Sequence, residues 1–280
     1  MSSETETPAG VCYRHPNRQS WVLCQRCGRT ICPSCQTQAA VGVHCPECVR
    51  EGRASLPRRS RGVLRAALAP GSAPVVTYVF TGITVVVFLL QQVTSGAVTQ
   101  AGIYAPAFTA VEPWRMITSI FLHGGLLHVG LNMLSLLFVG RALEPLLGRS
   151  RFLALYLFSG FAGSVAVLLL GNAFTGVLGA SGAIFGLLGA FLIIGRRMGA
   201  NITPMIVLVG INLVLGFVVP GISWQAHVGG LIGGALVALV YLRTRRSTQR
   251  TVQIALLAGL GAALILIAVV AYAFRVGLVG

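Results

Sequence analysis

Two sets of residues in this chain combine types that do chemistry. The first is scattered through apolar sequence: His123, His128 and Asn132, then Ser181 within Gly179-Ala180-Ser181-Gly182, then His227. A serine hydroxyl becomes a useful nucleophile when a neighbouring base takes its proton, and a chain without lysine leaves histidine as that base. The second set lies in the first 50 residues: Cys12-x2-His15, Cys24-x2-Cys27, Cys32-x2-Cys35 and Cys45-x2-Cys48. These eight ligands suffice for two tetrahedral zinc ions of structural type, with no position left open for catalysis.

The acids define what the serine site can be. The chain has no aspartate, and Glu112 and Glu144 are the only acids after residue 51. Glu144 follows Arg141 and Glu112 belongs to a loop, so neither is placed to orient a buried histidine. A Ser181-His227 dyad is therefore expected rather than a triad. Donors for a developing oxyanion are available from His128, from the Asn132 side chain and from the Ser181 backbone N–H.

Taken singly, each of these residues has a packing explanation. A serine among glycines reads as a helix contact face, and His128 with Asn132 at i, i+4 would serve to join two helices. Asn212 is a further polar residue in an apolar run. Depth separates the readings. His128 lies 13 residues before Arg141, Ser181 lies 15 before Arg196, and His227 lies 16 before Arg243. At helical rise these are about 20 to 24 Å from the basic end of a hydrocarbon core about 30 Å thick. Packing residues have no reason to share a level, whereas members of one site must.

The elements that must hold them are membrane spans. The 280 residues are 55% hydrophobic and 10% charged, with 35 glycines, the composition of an all-α polytopic membrane protein. Apolar runs cover Val75–Val93, Met116–Gly140, Phe152–Leu170, Val177–Gly195, Ile202–Val219, Ser223–Leu242 and Val252–Phe274, each near the roughly 20 residues of a spanning helix. Arginines cluster before the first run (Arg58, Arg59, Arg61, Arg65) and after the second, fourth and sixth. The positive-inside rule then places the N-terminus in the cytosol and the C-terminus outside. The net charge of +15 thus reads as topology, and as attraction to anionic lipid in the linker, rather than as nucleic-acid binding. No cleavable leader is expected from the polar, acidic start.

Small residues indicate how the spans meet. Gly182 and Gly186 form one GxxxG face; Gly229 with Gly233, and Gly230 with Gly234, form two more. Ser181 and His227 stand just before these faces, so contact between them is expected. From Ser181 to Gly195 a helix is only about 22 Å long, which fits one entered part-way down below a 171–179 loop.

On these residues the chain resembles the rhomboid proteases. The shared elements are Gly-x-Ser-Gly at Gly179–Gly182, Ala-His-x-x-Gly at Ala226, His227 and Gly230, His-x4-His-x3-Asn at His123, His128 and Asn132, and Trp114-Arg115. The resemblance implies a six-helix core over residues 75–245 and a seventh C-terminal helix over 246–280. It also implies Ser181 and His227 as the catalytic dyad, His128 and Asn132 at the oxyanion, and His123 in support. Phe185 stands where well-known members often have a tyrosine stacked on the histidine; an aromatic face is kept. The implied substrates are transmembrane segments of single-pass proteins in the cell membrane, cut near its outer face. A silent adaptor of the same fold would bind such helices without cutting, but such relatives usually lack the serine or the histidine. A transporter would explain the buried histidines alone.

Residues 1–56 read as a separate cytosolic zinc-binding domain followed by a basic linker, 57–74. Cysteine pairs at x2 spacing in that compartment suit metal rather than disulfides. Spacing alone leaves sequential pairing open, and leaves His44 as a rival to Cys45. The domain resembles a B-box zinc finger, which implies that the first and third pairs share one ion and the second and fourth the other, and which implies a protein partner.

Overall fold

The computed structural model describes residues 10–39, 42–55 and 73–275, in two units divided near residue 61. The linker arginines Arg58, Arg59, Arg61 and Arg65 lie outside the described residues.

The N-terminal unit has two small antiparallel hairpins, β1 (Val11–Cys12) with β2 (His15–Gln19) and β3 (Thr37–Gln38) with β4 (Val43–His44), followed by α1 (Pro46–Ser55). Its interior is made of cysteines. Cys12, Cys24, Cys32, Cys35, Cys45 and Cys48 are buried around Ile31, flanked by Tyr13 and Val43. With Ile31 the one buried aliphatic residue among those described, apolar burial cannot offset the chain entropy of some 45 residues, so this fold depends on cross-links through its ligands.

The second unit is helical: α2 (Val75–Val93), α3 (Ala97–Gly102), α4 (Arg115–Thr118), α5 (Leu126–Leu147), α6 (Arg149–Leu170), α7 (Ser181–Arg197), α8 (Thr203–Val218), α9 (Trp224–Arg243) and α10 (Arg250–Arg275). Among these, α2, α5, α6, α9 and α10 are long and apolar enough to cross a membrane. The outward side chains of the bundle include Val86, Leu89, Leu134, Phe138, Val214, Phe217 and Leu266, all exposed. Such a surface is stable against lipid, and the unit is a multi-pass membrane domain.

Two apolar runs are re-cut. The run expected to begin at Met116 is broken: α4 and a 3-10 turn (Ser119–Phe121) end before Gly124-Gly125, and α5 starts only at Leu126 and continues to Leu147. The apolar run from Val177 becomes helical at Ser181, the start expected of a helix entered below a 171–179 loop, because Gly179 has φ +127°, a conformation that breaks a helix and favours glycine. With 17 and 16 residues, α7 and α8 are the short members.

Glycines set the centre of the bundle. A Cβ on Gly230 or Gly234 would lie 1.9 or 2.0 Å from the carbonyl oxygens of Gly182 and Gly186, so α7 and α9 touch backbone to backbone. Gly229 and Gly233 face α6 instead, where a Cβ would meet Ala166 and Ala162. The two GxxxG faces of α9 therefore serve two different neighbours. At its N-terminus α2 is capped by Glu144 of α5, whose buried carboxylate accepts from Val76 N, Thr77 N and Thr77 Oγ1 at 2.8 to 2.9 Å. The outer helix α10 is tied to both ends of α6: Arg151 Nε donates to Gln253 Oε1 at 2.9 Å, and Arg275 donates to the Leu168 carbonyl at 2.7 Å.

Candidate active site

Three helices begin at one place. Ser181 is the first residue of α7, His128 the third of α5 and His227 the fourth of α9. Their positive dipole ends converge, and the starts of α5 and α7 have no side-chain cap, whereas Ser223 Oγ accepts from Ala226 N–H at the start of α9; the arrangement favours negative charge there. The Ser181 Oγ and His227 Nε2 are 2.9 Å apart. This is hydrogen-bond distance between residues on helices whose approach depends on the glycines above. Phe185, one turn after Ser181, lies flat on the imidazole, with ring centroids 4.1 Å apart and planes 11° from parallel.

His227 is buried, and its Nδ1 has no partner among the described residues. The two acids of the membrane unit are engaged elsewhere, Glu112 with Arg115 and Glu144 at the start of α2. Orientation of the imidazole thus comes from stacking and helix position, with no carboxylate behind it. For Nε2 to accept the serine proton, Nδ1 must carry the ring hydrogen.

The loop entering α7 is pinned from two sides. Gly179 N–H donates to the Ser119 carbonyl at 2.9 Å, and Ala180 N–H donates to His123 Nε2 at 3.4 Å. His123 is in turn clamped through its backbone by Gln91 of α2, which donates to the His123 carbonyl at 3.2 Å and accepts from its N–H at 3.0 Å. Gln91 was not singled out by the sequence reading; a buried amide near the end of an apolar span is the signal that could have found it. The His128 ring lies edge-on to His123, with centroids 4.9 Å apart, and covers Gly179, where a Cβ would come 2.9 Å from His128 Nε2. His128 Nδ1 accepts from Gly124 N–H at 3.3 Å, which leaves Nε2 toward the serine loop. Asn132 Nδ2 donates back to the His128 carbonyl at 2.9 Å, so one of its two N–H groups is committed within α5 and one is free.

Asn212 does not join this group. It sits exposed on α8 and donates to the Leu208 carbonyl of its own helix. Arg115, by contrast, holds the loop before α4: it pairs with Glu112, donates to the carbonyls of Gln100 and Ile103, and covers the Phe108 ring. Behind the loop that enters α7 is a cavity of about 20 Å³, room for a single water, lined by Tyr104, Ser119, Gly160, Gly179, Gly182 and Ala226 among others, with neither Ser181 nor His227 in its wall.

The cysteines form two clusters in the crossed arrangement: Cys12, His15, Cys32 and Cys35 in one, Cys24, Cys27, Cys45 and Cys48 in the other, with ligand atoms within 4.8 Å of one another. His44 belongs to neither. His15 Nδ1 lies 3.8, 3.4 and 3.4 Å from the sulfurs of Cys12, Cys32 and Cys35, and Cys27 and Cys45 sulfurs are 3.7 Å apart. Four ligands around a tetrahedral ion with metal–sulfur bonds of about 2.3 Å would be separated by about 3.5 to 3.8 Å, so both clusters fit a metal ion and a zinc-finger fold. Burial raises the Cys12 thiol, but N–H donors from Cys32 and Arg14 and contact with His15 outweigh it and bring it down to about 6. Cys24 falls to about 6 in the same way, through the backbone of Cys45, Arg26 and Cys27. Burial and the neighbouring sulfurs push Cys35 up to about 11 and Cys48 higher still. A bound cation would relieve that repulsion.

The membrane unit is thus a helical bundle that brings a serine and a histidine together at three helix N-termini. Residues 110–244 match the Rhomboid domain family. The chain is 34% identical over 139 residues to the putative rhomboid protease YdcA of Bacillus subtilis, covering 70% of that protein and 48% of this chain. It is 37% identical over 187 residues to the rhomboid protease GluP of the same organism, which is 62% of this chain and 36% of GluP. To RHOMBOID-like protein 1 of Arabidopsis thaliana it is 43% identical over 139 residues, which is 47% of this chain and 35% of that protein. The chain belongs to the rhomboid family. It spans about a third of the length of the last two relatives.

Proposed function

We propose that the protein is an intramembrane serine endopeptidase that hydrolyses peptide bonds in or near transmembrane segments of other membrane proteins. The observation that carries this reading is the 2.9 Å approach of Ser181 Oγ to His227 Nε2. In the proposed mechanism His227 Nε2 takes the hydroxyl proton as Ser181 Oγ bonds to the scissile carbonyl carbon. The oxyanion forms against the Ser181 N–H, the free N–H of Asn132 and His128 Nε2, at the positive ends of three helices. His227 then gives its proton to the leaving amine, and water, activated by the same nitrogen, releases the acyl group.

Small residues at the cleaved position of the substrate belong to this reading. A substrate segment must also unwind locally, because a helix engages its own carbonyls. In this reading residues 75–245 are the protease core and 246–280 add the outer helix. Residues 1–56 are a cytosolic domain whose two clusters hold structural Zn2+ and which offers a surface to a protein partner. Residues 57–74 are the basic linker. The arginine distribution supports a cytosolic N-terminus and an outer C-terminus, with the plasma membrane as the proposed location.

The test is cleavage of a single-pass transmembrane substrate by the purified protein in liposomes. Cutting by wild type, with none by Ser181→Ala or His227→Ala, is the expected result. Residual cutting by Ser181→Ala at the wild-type rate would refute the assignment.

A further inference from the structure

The N-terminal unit carries an apolar tip that its own core leaves uncovered. Trp21, Val22 and Leu23 are consecutive and 80%, 41% and 50% exposed. Single exposed apolar residues are ordinary, but three in a row headed by a tryptophan are not accounted for by the fold. The tip is held in place: Leu23 bridges to Thr30, Ile31 N–H donates to the Val22 carbonyl at 2.8 Å, and the Trp21 ring edge lies against Gly10. The segment is therefore fixed by backbone bonds while its side chains face outward.

Arginines neighbour the tip in sequence. Arg18, Arg26 and Arg29 are exposed; Arg18 donates to Ser34 Oγ, Arg26 donates to the Cys48 carbonyl and Arg29 lies over the Tyr13 ring, but none has its charge matched by an acid among the described residues, where Glu47 is paired with Arg14 and Arg50. Arg58, Arg59, Arg61 and Arg65 follow in sequence. Tryptophan with aliphatic neighbours, flanked in sequence by exposed arginines, is the composition of a membrane-interface anchor. The 19 residues between Ser55 and Val75 can extend to about 70 Å at most, so the tip stays near the bilayer that holds α2. Insertion too weak to recruit a free domain is sufficient at such an effective concentration.

We infer that Trp21, Val22 and Leu23 insert into the headgroup region of an anionic bilayer, with Arg18, Arg26 and Arg29 on the lipid phosphates. This anchors the metal-binding unit to the surface of the membrane that the rest of the chain spans. The inference requires the membrane unit but not its proteolytic activity.

The full chain is placed in nanodiscs of phosphatidylcholine alone or mixed with phosphatidylglycerol, with acyl chains brominated near the headgroup. The fluorescence difference between wild type and Trp21→Phe isolates Trp21. Expected is a blue-shifted component, quenched by bromine and shielded from acrylamide, more strongly with phosphatidylglycerol. Val22→Ser with Leu23→Ser should lose the bromine quenching, and Arg18→Gln with Arg26→Gln and Arg29→Gln should lose the lipid preference. Protection of the cysteines from maleimide at the wild-type level verifies that each variant is folded. A Trp21 component open to acrylamide in both lipids overturns the inference. So does one shielded from acrylamide but untouched by bromine, which would place Trp21 against protein, either this chain or a second copy. Equal quenching in both lipids overturns the role of the arginines.

Discussion

The ring of Phe185 lies parallel to the imidazole of His227 at 4.1 Å, and it is the flat face on which that imidazole rests where no carboxylate holds it. Stacked rings contribute about 0.5 to 1.5 kcal/mol beyond their burial. Phe185→Leu keeps an apolar side chain of somewhat smaller volume and removes the face. It is expected to slow labelling of Ser181 by a fluorophosphonate about 2- to 10-fold, with Phe185→Tyr close to wild type. Labelling of the leucine variant at the wild-type rate would show that helix position alone orients His227.

Gly230 of α9 meets the Gly182 carbonyl so closely that a methyl group would sit 1.9 Å from it. Neither partner is a flexible side chain tip, so α7 and α9 must separate. Gly230→Ala is expected to lower stability by about 1 to 3 kcal/mol and to abolish labelling of Ser181, because the same separation lengthens the Ser181-His227 contact. Gly210→Ala on α8, with nothing within 4 Å of its added methyl, is the control and should do neither. The measurement is thermal unfolding in detergent alongside labelling.

Much of this was legible in the sequence, for reasons that particular residues make plain. The number of apolar runs followed from length and hydropathy, and the meeting of Ser181 with His227 followed from glycine spacing and a shared depth. Both are periodic or countable features. The break at Gly124-Gly125 was signalled only by the glycine pair itself, because hydropathy runs on across it; what fixes it is the clamp of Gln91 on the His123 backbone and the local bond from Gly124 N–H to His128. Asn212 looked equivalent to Asn132 because hydropathy carries no information about which face of a helix is buried. The crossed grouping of the cysteines was implied by the resemblance to a B-box finger and not by spacing, since x2 pairs are compatible with either pairing, and the fold has that grouping.

Glu144 was placed by its sequence away from the site, and its role emerges only with the contacts it makes. It is a buried carboxylate accepting three hydrogen bonds at the start of α2. Glu144→Gln turns one accepting oxygen into an N–H that faces other donors. A loss of about 1 to 3 kcal/mol in stability is expected, and Thr77→Val, which removes only one of the three donors, should cost less. Thermal unfolding of the two variants in the same detergent checks the order. Equal losses would mean that the Thr77 hydroxyl, rather than the helix end, is the partner that matters.

The two ligand clusters make a prediction in which combinations of substitutions decide the pairing. Cys12 and Cys35 share one cluster and Cys24 belongs to the other. Any single Cys→Ser change among these three is expected to lower bound zinc from two ions per chain to one, read by elemental analysis of the purified protein. Cys12→Ser with Cys35→Ser should still retain one ion, because both changes damage the same site. Cys12→Ser with Cys24→Ser should retain none. Sequential pairing reverses the two double variants: Cys12 and Cys24 would then share a site and leave one ion, while Cys12 and Cys35 would empty both. Loss of both ions in every single variant would instead mean that the two clusters fold as one unit, as a core with Ile31 the one buried aliphatic residue among those described allows when metal supplies most of the cross-linking.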